Sequence, residues 1–252
     1  TPSDQPTLRF QVPLAYRLHP QENLAPFTLP AAPDTATAYD ALADPEAVAA
    51  YARGLADDLD VGPLRFRTVA GGHIDPALTP RMLGAEQSNT TVVFGDVFLL
   101  KLFRRVEAGV NPDLELHQAL TEVGCANIAP LVGWIETDTD STLGIAQTFL
   151  ANASDGWTLA VGSVRDLFAE ADLHADEVGT DFAGEAERLG EAVATVHADL
   201  ARSLGTATRA VSTEPMRRRL DAAIRIVPEL EAVAAGASAV FARADAAGPT
   251  PV

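Results

Sequence analysis

Two short runs of β-branched, aromatic and aliphatic residues, Thr90 to Phe94 and Val97 to Phe103, flank the dipeptide Gly95-Asp96, and this stretch constrains the fold of the chain more than any other. Gly and Asp accept the backbone of a tight antiparallel turn, so the runs read as the two strands of a hairpin. The neighbourhood extends the pattern. LRFRTVA at Leu64 to Ala70 reads as a strand closed by a Gly71-Gly72 turn, with a loop from there to Leu83. Asn111-Pro112 opens a helix as N-cap and first-turn proline, and Gly124 stops it after Val123. Ile128 to Ile135 and Leu143 to Leu150 read as further strands.

Upstream, TLRFQVPLAYRL at Thr7 to Leu18 partly alternates apolar with polar side chains and reads as an edge strand interrupted by Pro13. A Pro-rich loop follows, from Pro20 to Thr37. Helical spacing of Leu42, Val48, Tyr51 and Leu55 predicts one or two helices over Ala38 to Asp58, with Asp44 as N-cap and Pro45 at the first position. After Trp157 the character changes. Ser163 to Ala171, Phe182 to Leu204, Glu214 to Val227 and Pro228 to Ala246 all carry helical periodicity, and Ser163 with Asp166 resembles a capping box. The predicted order is thus mixed strands with one helix between them, a connector near Ala151 to Gly156, then helices.

Charge narrows the partners. Of 252 residues, 18 are Lys or Arg and 35 are Asp or Glu, a net charge of −17 that repels nucleic-acid phosphates and anionic membrane surfaces. No apolar run approaches the roughly 18 residues of a spanning helix. The lone Cys125 has no internal disulfide partner, and the opening Thr1-Pro2-Ser3-Asp4 lacks a secretory pattern, which together point to a cytoplasmic protein. The absence of a starting Met and the end at Pro249-Thr250-Pro251-Val252 read as marks of a piece of a longer polypeptide.

One residue stands out chemically. Lys101 is the only lysine, set between Leu99-Leu100 and Leu102-Phe103 on the second hairpin strand, with Glu115 following on the helix 14 residues later. A strand lysine held by a helix glutamate is the device that orients nucleotide phosphates in kinase-like folds: the ammonium neutralises phosphate oxygens, and the carboxylate keeps it in place. Ahead of the hairpin, Gln87, Ser88 and Asn89 offer small polar donors to a phosphate. Arg104 and Arg105 either extend a basic patch or pair on the surface, and Asp113 is explained by the helix dipole alone.

Two other motifs fail on order. His197-Ala198-Asp199 imitates a kinase catalytic loop and Asp181-Phe182-Ala183-Gly184 a metal-binding D-F-G, yet Asp181 precedes His197, and Leu204 stands where an asparagine is required. His19, His73, His117, His174 and His197 are scattered and suggest no metal cluster. There is no P-loop and no nucleophile elbow.

With EQSNTTVVF at Glu86 to Phe94, LKLFRRVEAGVNPDLEL at Leu100 to Leu116 and the long helical stretch from Gly156 onward, the chain resembles bacterial maltokinases. The resemblance implies an α+β, protein-kinase-like fold with an N-terminal cap domain: 1–81 as part of the cap, 82–150 as the nucleotide-binding lobe, and 151–252 as the first helices of the C-lobe, within which the chain ends. It implies ATP and Mg2+ as cofactors, phosphorylation of maltose to maltose 1-phosphate for α-glucan synthesis, and fusion or association with a trehalose synthase. By the same resemblance, Gln87, Ser88 and Asn89 form the loop over the phosphates, Lys101 contacts them, and Glu115 holds Lys101. Gln147, Thr148, Phe149 and Leu150 form the adenine-facing hinge. The family's catalytic aspartate in an H-G-D segment and metal-binding aspartate in a D-F-E segment are expected beyond Val252, so no catalytic or metal residue is assigned here. A kinase of another sugar, such as glucosamine, and a non-catalytic pseudokinase or binding module are the alternatives.

Overall fold

Proline breaks and polar caps set the element boundaries throughout the computed structural model, which describes residues 8–30, 35–85, 89–169, 174, 177, 182–210 and 212–251. The first strand is interrupted at Pro13, as its sequence predicts. Its halves are β1 (Arg9–Phe10) and β2 (Leu14–Arg17), and the two take different partners. β2 forms a three-stranded antiparallel sheet with β4 (Thr37–Asp40), whose other edge carries β3 (Thr28–Leu29). A short 3-10 helix of two turns, Glu22–Phe27, occupies part of the Pro-rich loop.

The helix expected from Ala38 begins later. Ala38 and Tyr39 are fully buried in β4, and the Asp40 side chain accepts a hydrogen bond from the Leu42 amide at 3.1 Å, a local turn that competes with helix. Helix α1 (Pro45–Ala56) then starts where its signals place it: Asp44 accepts from the Glu46 amide at 3.0 Å, and Pro45 sits in the first turn.

A seven-stranded antiparallel sheet dominates the first unit. Its strands are β5 (Asp60–Val61), β6 (Leu64–Thr68), β7 (Pro80–Ala85), β8 (Asn89–Phe94), β9 (Phe98–Phe103), β11 (Leu131–Thr137) and β12 (Thr142–Thr148), in spatial order β5-β6-β11-β12-β9-β8-β7. The remaining short strand, β10 (Arg105–Val106), pairs with β1. β7 replaces part of the loop expected before Leu83. As the edge strand it has no second neighbour, so Pro80 at its first position costs the sheet little.

The β8–β9 hairpin turns as predicted: Gly95 and Asp96 have φ of 54° and 53°, and Val97 donates to the Phe94 carbonyl at 2.9 Å. Helix α2 (Pro112–Glu122) crosses from β9 to β11. Asn111 caps it through the Asp113 amide at 2.8 Å. At its other end, Gly124 at φ 68° lets its own N–H reach the Thr121 carbonyl and that of Cys125 reach the Leu120 carbonyl.

The sheet is packed on both faces. On one, Phe66, Val92, Phe94, Leu100, Leu102 and Ile135 join Val48 and Leu55 of α1 in the main core. On the other, Phe103, Leu131 and Ile145 meet Leu114 of α2. Each such large apolar side chain, removed from water, contributes about 1.5–3 kcal/mol.

Helices follow. α3 (Gly156–Ala169) begins at Asp155, whose carboxylate accepts from the Thr158 amide at 2.7 Å; bonds from the Thr158 hydroxyl and amide hold its pKa below the ordinary value. Ser163 therefore lies inside the helix and does not start it. α4 (Ala183–Leu204) closes the first compact unit, Thr1–Ser203.

The second unit, Leu204–Val252, holds α5 (Glu214–Ile226), α6 (Glu231–Ala246) and a two-stranded ribbon of β13 (Thr208–Ala210) with β14 (Pro249–Pro251), which the helical periodicity did not predict. Its polar centre is Thr213, 1% exposed, whose hydroxyl donates to Asp245 at 2.7 Å while Arg217 approaches the same carboxylate at 3.0 Å. Thr213 first and Arg217 second lower the Asp245 pKa. Among the described residues, no helix is long and apolar enough to cross a membrane.

Candidate functional site

The antiparallel register places several of the sequence-selected residues on one face of the sheet. Lys101 on β9 lies directly opposite Thr91 on β8 and Ile145 on β12, while Leu99 lies opposite Val93 and Gln147, and Phe103 opposite Asn89. Directly paired residues share a face, as do alternate residues along a strand. Asn89, Thr91, Lys101 and Gln147 therefore stand on a common face. Lys101 is about a quarter exposed, and its ammonium lies 5.7 Å from the centroid of the Phe103 ring.

The lysine is anchored, but not by the predicted residue. Its Nζ donates to Asp113 Oδ2 at 2.9 Å, and Glu115 is exposed with no ion pair to it. Helical phase explains the correction: residues two apart on a helix point some 200° away from each other, so Asp113 and Glu115 cannot both face the strand. Asp113 lies in the first turn, where the Asn111 cap binds its amide and the helix dipole favours its charge, so one helix end orients both the carboxylate and, through it, the ammonium. Lys101 thus pairs with α2 through Asp113 and not through Glu115.

The loop ahead of β8 is described only in part. Asn89 begins β8, whereas Gln87 and Ser88 lie outside the described residues. The expected hinge starts at the end of β12: Gln147 and Thr148 belong to the strand, Phe149 donates its backbone N–H to the Val97 carbonyl at 2.9 Å, and Thr148 donates to the Pro130 carbonyl at 2.9 Å. Leu150 is exposed and opens the connector to α3.

Arg104 does not extend a basic surface. It donates to Asp40 Oδ2 at 2.5 Å and to Thr90 Oγ1 at 2.9 Å, tying β4 to the β8–β9 hairpin, and Asp40 was invisible as its partner 64 residues away. Arg105 pairs with Glu107 at 3.2 Å on the surface. Next to the Arg104–Asp40 pair, burial pushes the Tyr51 phenol up to about 12, with Arg104 pulling down and Asp40 adding to the rise.

The His197 motif forms no site among the described residues. His197 is exposed on α4, and Asp199 is buried and paired with Arg202 at 2.6 Å one turn on. Asp181 lies outside the described residues. Among the described residues no group of three or more His, Cys, Asp or Glu is placed to hold a metal ion. What the arrangement offers is a lysine held in position on a sheet face, a suitable counter-charge for a phosphate.

No protein-family model matches the chain. Its fold, however, matches solved structures of glucosamine kinases. A glucosamine kinase in complex with glucosamine, ADP and inorganic phosphate is similar at TM-score 0.66 and 22% identity, over 97% of this chain and 55% of that one. Two other glucosamine kinase crystal forms match at TM-scores of 0.61 and 0.62, with 24% and 23% identity, over 81% and 98% of this chain and 48% and 62% of theirs. The chain thus has the mixed α/β, kinase-like fold of these sugar kinases and spans about half their length.

Proposed function

We propose that this chain is the nucleotide-binding part of an ATP-dependent sugar kinase that transfers a phosphoryl group in line to maltose, giving maltose 1-phosphate for α-glucan synthesis. The observation that carries the nucleotide assignment is the chain's only lysine, fixed at 2.9 Å by Asp113 on the sheet face it shares with Asn89, Thr91 and Gln147. Lys101 neutralises phosphate oxygens, and Asp113 holds it where they arrive. Glu115 has no part in this. Asn89, with Gln87 and Ser88, lies over the phosphates. Thr148 and Phe149 already spend their amides on Pro130 and Val97, so an adenine at the hinge of Gln147, Thr148, Phe149 and Leu150 is read through other backbone groups there.

In this reading residues 1–81 are part of a cap, 82–150 the lobe and 151–252 the first helices of the second lobe, with β5, β6 and the start of β7 completing the lobe's sheet from the cap side of that boundary. The fold of the glucosamine kinases supports a sugar as acceptor. Mg2+ would supply counter-charge to the phosphates and would be held by the carboxylate of a D-F-E segment, and the sugar proton would be accepted by an H-G-D aspartate; neither segment is in this sequence. By itself the chain binds nucleotide weakly and transfers nothing. The protein works in the cytoplasm, fused to or associated with a trehalose synthase.

A second reading has a specific observation behind it: the matching structures are glucosamine kinases, one of them holding glucosamine. The test is ADP release by a protein carrying this chain together with the H-G-D and D-F-E segments, given ATP, Mg2+ and a panel of sugars. Turnover with maltose is expected. Turnover with glucosamine alone moves the assignment to that sugar, and no turnover with any sugar leaves a binding module.

A further inference from the structure

A cavity of about 320 Å³ opens on the other end of α2 from Asp113. Val69, just past β6, Leu131 and Trp134 of β11, and Gln118, Thr121 and Glu122 of α2 line it. Its chemistry is mixed in a specific way. Trp134 spends its indole N–H on Glu136 Oε2 at 2.9 Å, so what it gives the cavity is ring surface. Thr121 Oγ1 accepts from the Leu131 amide at 3.0 Å and keeps its own proton to donate. Gln118 and Glu122 make no side-chain hydrogen bond or ion pair among the described residues.

These groups select a ligand class. No lysine, arginine or histidine lines the cavity, and a carboxylate at its rim in a chain of net charge −17 rejects anions, nucleotides included. The lining offers an aromatic plate, an amide that both donates and accepts, a hydroxyl donor and a carboxylate acceptor. A neutral ring with apolar C–H faces and alternating hydroxyls uses all of these, whereas an organic cation would leave the donors of Gln118 and Thr121 unanswered. We propose that this cavity is a binding site for a neutral pyranose sugar, separate from the Lys101 site. The proposal stands apart from the kinase reading, since it involves neither nucleotide nor transfer.

The test uses this chain without nucleotide. Of the two tryptophans, Trp157 is removed as Trp157→Phe, so that emission reports Trp134 alone. Maltose, glucose and putrescine are titrated separately, and the sugar titrations are repeated in Gln118→Ala and Glu122→Ala, neither of which is a buried core residue. A saturable change in emission with maltose or glucose, weakened at least fivefold in each variant, is the expected result. No change with either sugar while far-UV circular dichroism shows the chain folded overturns the proposal. So does a sugar response that both variants leave intact, which places the sugar elsewhere, or a response to putrescine alone, which makes the cavity a cation site.

Discussion

At the scale of single residues, Lys101 decides the nucleotide assignment, and its neighbours on α2 permit a clean comparison. Asp113→Ala frees the ammonium and is expected to weaken binding of a fluorescent ATP analogue about five- to tenfold. Glu115→Ala, two residues on and facing solvent, is expected to stay within twofold. The reverse ranking in the same titration would restore the glutamate that the sequence spacing favours. Tyr51 yields a pH effect. Its folded pKa of about 12 exceeds the ordinary 10.0, so the folded state keeps the proton longer than the unfolded one. Stability from this group is complete below pH 10 and falls as pH rises from 10 toward 12, by on the order of 2 kcal/mol. Urea melts at pH 9 and 11.5 should show that loss in the native chain and much less of it in Tyr51→Phe. Lys101 was legible from its isolation among leucines. Its partner was not, because spacing along a chain ignores the direction in which a helix turns each side chain.

Among the elements, the β8–β9 hairpin and α2 were readable at both ends, since Gly95-Asp96, Asn111-Pro112 and Gly124 act through local backbone geometry. Asn111→Ala removes the acceptor for the Asp113 amide and is expected to cost about 1 kcal/mol in a denaturant melt. β7 and the β13–β14 ribbon were not readable, because edge strands and short ribbons are defined by a distant partner more than by their own pattern. Likewise, the strand at Thr37–Asp40 was hidden by a helical spacing that holds only from Pro45 onward. Gly144 shows how closely β12 and β9 approach: a Cβ there would sit 2.8 Å from the Lys101 carbonyl oxygen. Gly144→Ala should therefore spread the strands beside the lysine, lowering the melting temperature and ATP-analogue affinity together, whereas Gly162→Ala, with open space around it, should lower neither.

On the scale of the whole molecule, every buried apolar residue described lies between Ala15 and Ala146. The sheet and its two helices form a true interior. α3, α5 and α6 bury none of their residues, and Trp157, Phe168 and Ile226 are each more than three-quarters exposed. Sequence periodicity found these helices without revealing this, because an amphipathic pattern shows that a face is apolar and not whether anything covers it. Greasy stripes on so acidic a chain set two forces against each other. Mutual repulsion from seventeen surplus negative charges keeps copies apart in dilute buffer, and added electrolyte shortens its reach from about 30 Å at 0.01 M to about 3 Å at 1 M. Light scattering should consequently climb with sodium chloride, and Phe168→Ser with Ile226→Ser should blunt the climb; for anyone handling this chain, brine is the precipitant and fresh water the preservative.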